Sequence, residues 1–263
     1  MDNNLNKYTV KGFLNLILNS KSHLYKKNSV DRKILPFIIG SKDDFNVLDL
    51  SKTLVLLKKA LLLVEEFVSN KGQIVLVCSF KGKSYSEDLS FLKKHFLVIE
   101  NNWPEGSLTN FSNTRKKSIL FKNRSSFLVN NADLNTTIKK SNRKMKNQIT
   151  RFFKKFQSIG FVSKSPRLVI CLSPNENLPL FNELKLLNIP VISLTNNLSF
   201  TNKVDYPVLC NNEDPLFIKF FLFLLKGCVL KGQARFTSKF NIRKLSTYEQ
   251  KSFLKLILNK NAK

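Results

Sequence analysis

Three continuous apolar runs constrain this chain more than anything else in it: Ile74-Val75-Leu76-Val77-Cys78, Leu168-Val169-Ile170-Cys171-Leu172 and Val191-Ile192-Ser193-Leu194. A run without polar alternation suits a strand buried on both faces, and sheets buried on both faces are parallel ones threaded through helices. The segments around them fit. Leu54, Leu57, Leu61, Val64 and Val68 fall at helical spacing after Ser51, which the pattern reads as the N-cap, and the helix ends near Asn70-Lys71-Gly72. Further helices are predicted over 86–94, 178–187 and 214–230, and further strands over 45–49, 96–99 and 206–209. The expected fold is an α/β domain, doubly wound around a parallel sheet, formed by 31–112 and 165–235 after an N-terminal extension (1–30).

The alternation breaks after Trp103. From Asn113 to Arg167 there are fifteen Lys or Arg and one acid, Asp133. Ile138, Met145, Ile149, Phe152 and Phe156 lie at spacings of three, four and seven. This predicts a basic amphipathic helix, one half of a coiled-coil-like helical hairpin, within an inserted basic arm (113–164). A basic tail (236–263) carries a last apolar piece at 253–258. Over the whole chain, 44 Lys and Arg stand against 18 Asp and Glu, a formal net charge of +26. Such self-repulsion calls for a polyanionic partner. A basic run by itself is usually a solvated face, but here the excess covers most of the chain, which favours nucleic acid.

Other function classes find little support. The longest apolar stretch, Leu216 to Leu230, is interrupted by Lys219 and Lys226 and falls short of the roughly 18 uncharged residues a membrane span needs. No membrane span is expected. Cys78, Cys171, Cys210 and Cys228 are scattered through apolar runs and form no CxxC pair, so no metal site is expected. No two glycines sit two apart, which excludes a GxGxxG fingerprint. Lys81-Gly82-Lys83-Ser84 imitates the end of a Walker loop, but Val77 occupies the place of its first glycine. It reads as a turn presenting two lysines to phosphate. His23 and His95 have no carboxylate neighbour in sequence, and the acidic pairs lie in a turn (Asp43-Asp44) or at helix ends (Glu65-Glu66, Glu87-Asp88, Glu213-Asp214). No catalytic residue, cofactor or small-molecule substrate is expected.

Several blocks resemble the small-subunit ribosomal protein S2 family, in the family's order. They are Leu35-Pro36-Phe37-Ile38-Ile39-Gly40, Leu48-Asp49-Leu50-Ser51-Lys52-Thr53 and Lys71-Gly72-Gln73-Ile74. The most specific is Trp103-Pro104-Glu105-Gly106-Ser107-Leu108-Thr109-Asn110-Phe111, which is similar to the family's Trp-x-Gly-Gly-x-Leu-Thr-Asn-aromatic. Ile189-Pro190-Val191, Thr195-Asn196 and Asp205-Tyr206-Pro207-Val208 with Asn211 follow. The chain departs from the pattern at Glu105, where the family has glycine, at Asn102, and at His23-Leu24-Tyr25-Lys26, which stands for a His-x-Gly-His. The resemblance implies a flavodoxin-like domain with a protruding helical hairpin, bound to small-subunit rRNA beside other small-subunit proteins, and without enzymatic activity.

Physical argument then selects the phosphate-binding candidates: Lys81 and Lys83, Arg115, Lys116 and Lys117, and Arg124, Arg143 and Arg151 on the arm. Trp103, Gly106, Thr109 and Asn110 are expected to set the loop geometry, with Trp103 either a core anchor or a base-stacking ring. Asn, Lys, Phe, Leu and Ile abound while alanine numbers four, the bias of an AT-rich gene. With an N-terminus lacking transit-peptide character, this points to an organelle-encoded protein of the mitochondrial matrix ribosome ahead of a plastid or bacterial one. The competing readings are an organellar nucleotide- or nucleic-acid-processing enzyme on a Rossmann-like scaffold and a peripheral membrane protein.

Overall fold

A computed structural model describes residues 17–26, 35–79, 85–117, 119–120, 147, 165–195, 203–211 and 214–260, with backbone alone at 25–26, 86, 88 and 239–260. The three apolar runs become β4 (Ile74–Val77), β6 (Leu168–Cys171) and β7 (Val191–Thr195), and every residue in them is buried. With β5 (Leu97–Ile99) and β8 (Tyr206–Leu209) they form a parallel sheet of order β5-β4-β6-β7-β8. Counted from its first strand this is the 2-1-3-4-5 order of flavodoxin-like domains.

The pleat distributes the core over two faces, as the side-chain period of two demands. Ile74, Leu76, Leu168, Ile170, Leu172, Ile192, Leu194 and Val208 point to one face. There they meet α1 (Leu50–Ser69), α2 (Ser86–Leu92) and the first turns of α4 (Pro215–Lys260) through Leu57, Val64, Leu89, Leu92, Phe221 and Leu225. Val75, Val77, Val169, Cys171 and Val191 point to the other face, where α3 (Leu178–Leu187) supplies Leu180, Phe181 and Leu184. Trp103 and Leu108 complete this second layer.

Ahead of the sheet lies a small antiparallel one of order β1-β3-β2, built from β1 (Leu24–Lys26), β2 (Ile38–Lys42) and β3 (Phe45–Leu48). The Phe45 run is therefore a strand as expected, but the centre of a separate sheet. Asp43-Asp44 forms its turn, with Asp43 at φ 53°. Ile17 is buried in the main core and Asn211 N donates to Ser22 O at 2.9 Å, so residues 17–26 pack against the domain.

Two helices differ from expectation for stated reasons. Helix α1 starts at Leu50 because Asp49, not Ser51, caps it: Asp49 Oδ1 accepts from Ser51 N at 2.9 Å and Lys52 N at 3.4 Å. Helix α4 does not stop near Leu230 but continues to Lys260. Gly232, just past the expected end, serves a helix crossing. A Cβ there would stand 2.8 Å from Glu65 O and from Val68 Cβ and Cγ1. The glycine lets α4 lie close on α1 while remaining helical.

Candidate nucleic-acid interface

In an open α/β sheet, ligands enter at the carboxyl ends of the strands, in the crevice where the strand order reverses. Here that point lies between β4 and β6, and the chain's own side chains hydrogen-bond across it. Ser79 N donates to Ser173 Oγ at 3.0 Å, and Ser79 Oγ donates to Asn101 O at 2.8 Å. Asn177, which is fully buried, donates through Nδ2 to Ser173 O at 2.8 Å and to Ser79 Oγ at 3.2 Å. Its Oδ1 accepts from Trp103 N at 2.6 Å. Asn177 precedes α3 yet makes no side-chain cap bond to it, because its amide is committed across the crevice. These bonds tie together the chain segments that follow β4, β5 and β6 at the switch point.

The same network fixes the Trp103–Asn110 loop. Glu183 projects from the apolar face of α3, between Phe181 and Leu184, and is buried. Its Oε1 accepts from Trp103 Nε1 at 3.0 Å and Gly106 N at 2.8 Å. Its Oε2 accepts from Leu108 N at 2.8 Å and Thr109 N at 3.2 Å. Four donors on one carboxylate give it the satisfaction that a buried charge requires. They also satisfy backbone N–H groups at the turn into the helical segment 111–117, where a negative charge is favoured.

Trp103 is buried and belongs to the second core layer, the one that contains Val75, Val77 and Leu180. It is thus a core anchor whose indole N–H is already engaged, and its face does not present itself to a base. Gly106 has φ +77°, a left-handed conformation in which a side chain is strained. Glu105, at the family's other glycine position, is exposed and has no positive φ. The one glycine the turn needs is the one that remains. Thr109 and Asn110 are exposed at the start of the helical segment.

Arg115, Lys116 and Lys117 are exposed on that segment, while Thr114 beside them is buried. The anchored loop therefore launches three adjacent cations from the domain into solvent. Lys81, Lys83, Arg124, Arg143 and Arg151 lie outside the described residues, as does nearly all of the basic arm. His23 Nδ1 lies 3.4 Å from Ile17 O, and His95 Nδ1 lies 3.1 Å from Gln233 Nε2.

Among the described residues no group of three His, Cys, Asp or Glu is placed to hold a metal. Nor is any helix among them long and apolar enough to cross a membrane. An open depression of about 420 Å³, lined by Lys185, Asn188, Lys203, Asp205 and Tyr206, lies at the amino ends of β7 and β8. That is the edge opposite the one where α/β folds bind cofactors. Asp205 there is occupied structurally, accepting from Val191 N at 3.0 Å.

Sequence reasoning missed Glu183 and Asn177, since it surveyed carboxylates as neighbouring pairs. The available signal was a lone Glu on the buried face of an amphipathic helix, which demands a hydrogen-bonding partner.

Residues 17–232 match the family model described as ribosomal protein S2. The small ribosomal subunit protein uS2 of Malacoplasma penetrans (strain HF-2) is 28% identical over 207 residues, covering 76% of this chain and 56% of that protein. That of Endomicrobium trichonymphae is 25% identical over 202 residues, covering 77% of this chain and 82% of its own length. The small ribosomal subunit protein uS2c of Cyanidium caldarium is 24% identical over 224 residues, or 84% and 90% of the two chains.

Proposed function

This chain belongs to the ribosomal protein S2 family, and from that premise we infer that it is a structural constituent of the small ribosomal subunit. It binds small-subunit rRNA through a cationic surface and has no enzymatic activity. The observation that carries this reading is the division of labour at the carboxyl edge of the sheet. The crevice that serves enzymes of this architecture is spanned by hydrogen bonds among Ser79, Ser173 and Asn177, while the loop beside it is braced by Glu183. That loop holds out Arg115, Lys116 and Lys117. Committing these side chains to one another supports a scaffold role over nucleotide chemistry. Rigid presentation of cations supports phosphate binding, because preorganised side chains lose less entropy on contact.

The phosphate-binding set is Arg115, Lys116 and Lys117, extended by Lys81 and Lys83 in the strand-end loop and by Arg124, Arg143 and Arg151 on the basic arm. Trp103, Gly106, Thr109 and Asn110 hold the loop in shape rather than contacting bases. Neighbouring small-subunit proteins complete its surroundings. The compartment is the mitochondrial matrix, a reading supported by the AT-rich bias of the composition, with four alanines in 263 residues.

Sedimentation of organellar lysate on a sucrose gradient, with and without ribonuclease, tests the assignment. The chain should travel with small-subunit rRNA and lose that position after ribonuclease. A chain that stays at the top of an intact gradient overturns the ribosomal role. One that sediments only with cytosolic or plastid ribosomes overturns the compartment alone.

A further inference from the structure

Helix α4 carries an apolar row that does not face the domain. Leu216, Phe223 and Leu230 stand seven residues apart and are 56%, 66% and 57% exposed, although Phe217, Phe221, Leu225 and Val229 on the opposite side are buried. Half-buried Phe220 and Gly227 lie between them, so the row reads Leu216, Phe220, Phe223, Gly227, Leu230 at spacings of four, three, four and three. That is the a/d rhythm by which one helix packs along another. A Cβ on Gly227 would meet nothing within 4 Å, which leaves a notch between Phe223 and Leu230 for a bulky side chain of a facing helix. Three such large side chains exposed on one stripe are more than the scattered surface apolar residues common on proteins.

The charges beside the row specify what fits it. Lys219 and Lys231 are exposed on its flanks. Between Asp214 and Glu249 the chain has no Asp or Glu. A second copy would bring lysines against lysines in a chain already at +26. RNA would satisfy the lysines but offers no continuous apolar surface to cover Leu216, Phe223 and Leu230.

We propose that this face of α4 docks an amphipathic helix of another protein, one with apolar residues in heptad register and Asp or Glu on its flanks. The surface is separate from the cations at the carboxyl edge, and the inference does not depend on RNA binding there. In such a complex the apolar row supplies the register and the flanking lysines select the sign of the partner.

The test uses the full chain and a fluorescent synthetic helix of three heptads, with Leu at a and d and Glu at e and g. Its controls are a peptide of the same composition in scrambled order, and the pair of variants F223S/L230S and K219E/K231E. Anisotropy should show the heptad peptide binding at least about tenfold more tightly than the scrambled one, with that preference lost in F223S/L230S. K219E/K231E should weaken the heptad peptide by about tenfold, and more than a matched K58E/K59E change on the exposed side of α1. Both charge variants alter exposed residues, so they remain informative if F223S/L230S fails to fold. Equal binding of heptad and scrambled peptides would reduce the effect to bulk charge and overturn the proposal. Displacement of the heptad peptide by single-stranded RNA in the wild type, with RNA binding weakened in F223S/L230S, would also overturn it by making RNA the occupant. So would self-association in sedimentation that disappears in F223S/L230S, which would make a second copy the occupant.

Discussion

At the scale of single residues, Glu183 has the most to lose. Its four accepted hydrogen bonds run to Trp103, Gly106, Leu108 and Thr109 in a loop remote in sequence. Substituting Gln keeps the shape but turns one oxygen into an NH2 group, which faces backbone donors instead of accepting from them. Two donors are left buried and unpaired, so E183Q should cost about 2–4 kcal/mol in chemical denaturation, and hydrogen exchange of Leu108 and Thr109 should accelerate. Unchanged stability and exchange would show that the loop holds itself. The thiols give a second prediction. Burial pushes Cys78 and Cys171 up from 9.0 to about 12 and Cys228 to about 11, and raises Cys210 as well. Raised folded pKa values mean the unfolded thiols ionise first. Their contribution to stability is complete below pH 9 and is lost as pH climbs toward the folded values. At pH 8, a thiol reagent should therefore label the native chain slowly and all four cysteines promptly once denaturant is added. Fast labelling of the native chain at pH 8 would place a thiol at the surface.

At the scale of elements, two glycines on one helix should behave oppositely. G232A drives a methyl group to 2.8 Å from Glu65 O and Val68, and both belong to the packed α1. Overpacking of this kind costs about 1–3 kcal/mol, against a gain of about 1 kcal/mol in helix propensity. G227A meets open space and keeps only the gain. Thermal unfolding should fall for the first and hold or rise for the second; a rise for both would mean α1 and α4 do not approach so closely. The crossing also carries Glu65, buried, and its partner Arg235 at 2.9 Å. This contrast explains what was legible in the sequence. Helix α3 and strand β8 have the expected bounds because apolar period and breakers agree there, with Asn188 in a left-handed C-cap conformation and Pro207 on an edge strand. Strand β2 was not legible, since Ile39-Gly40-Ser41-Lys42 is exposed and carries no alternation. Helix α4 runs to Lys260, thirty residues past the expected Leu230, and Gly232 within it answers to a neighbour far away in sequence. Glu183 was invisible for the same reason: its four partners lie more than seventy residues away.

At the scale of the whole molecule, salt acts on two quantities in opposite directions. A net charge of +26 repels itself in the free chain, and added salt screens that repulsion as the Debye length shrinks from about 30 Å at 0.01 M to about 8 Å at 0.15 M. The free chain should therefore melt at a higher temperature as salt is raised over that range. RNA binding should weaken over the same range, because each neutralised phosphate releases a counterion and adds about 0.7–0.9 to the slope of log K against log salt. The two effects separate the candidate cations from the rest of the charge. Replacing Arg115, Lys116 and Lys117 together by alanine removes three of 44 positive groups. The self-repulsion of the chain then changes little. If these three sit on phosphates, the binding slope should drop by about 2–3 while melting temperature at a given salt barely moves. Replacing Lys58, Lys59 and Lys94, exposed on and beside the helices of the opposite sheet face, removes the same charge and should leave the slope nearly unchanged. Equal drops for the two triples would mean that binding responds to net charge alone. The phosphates would then have to be sought elsewhere on the surface, and the bracing of the Trp103–Asn110 loop by Glu183 would serve the fold and not the interface.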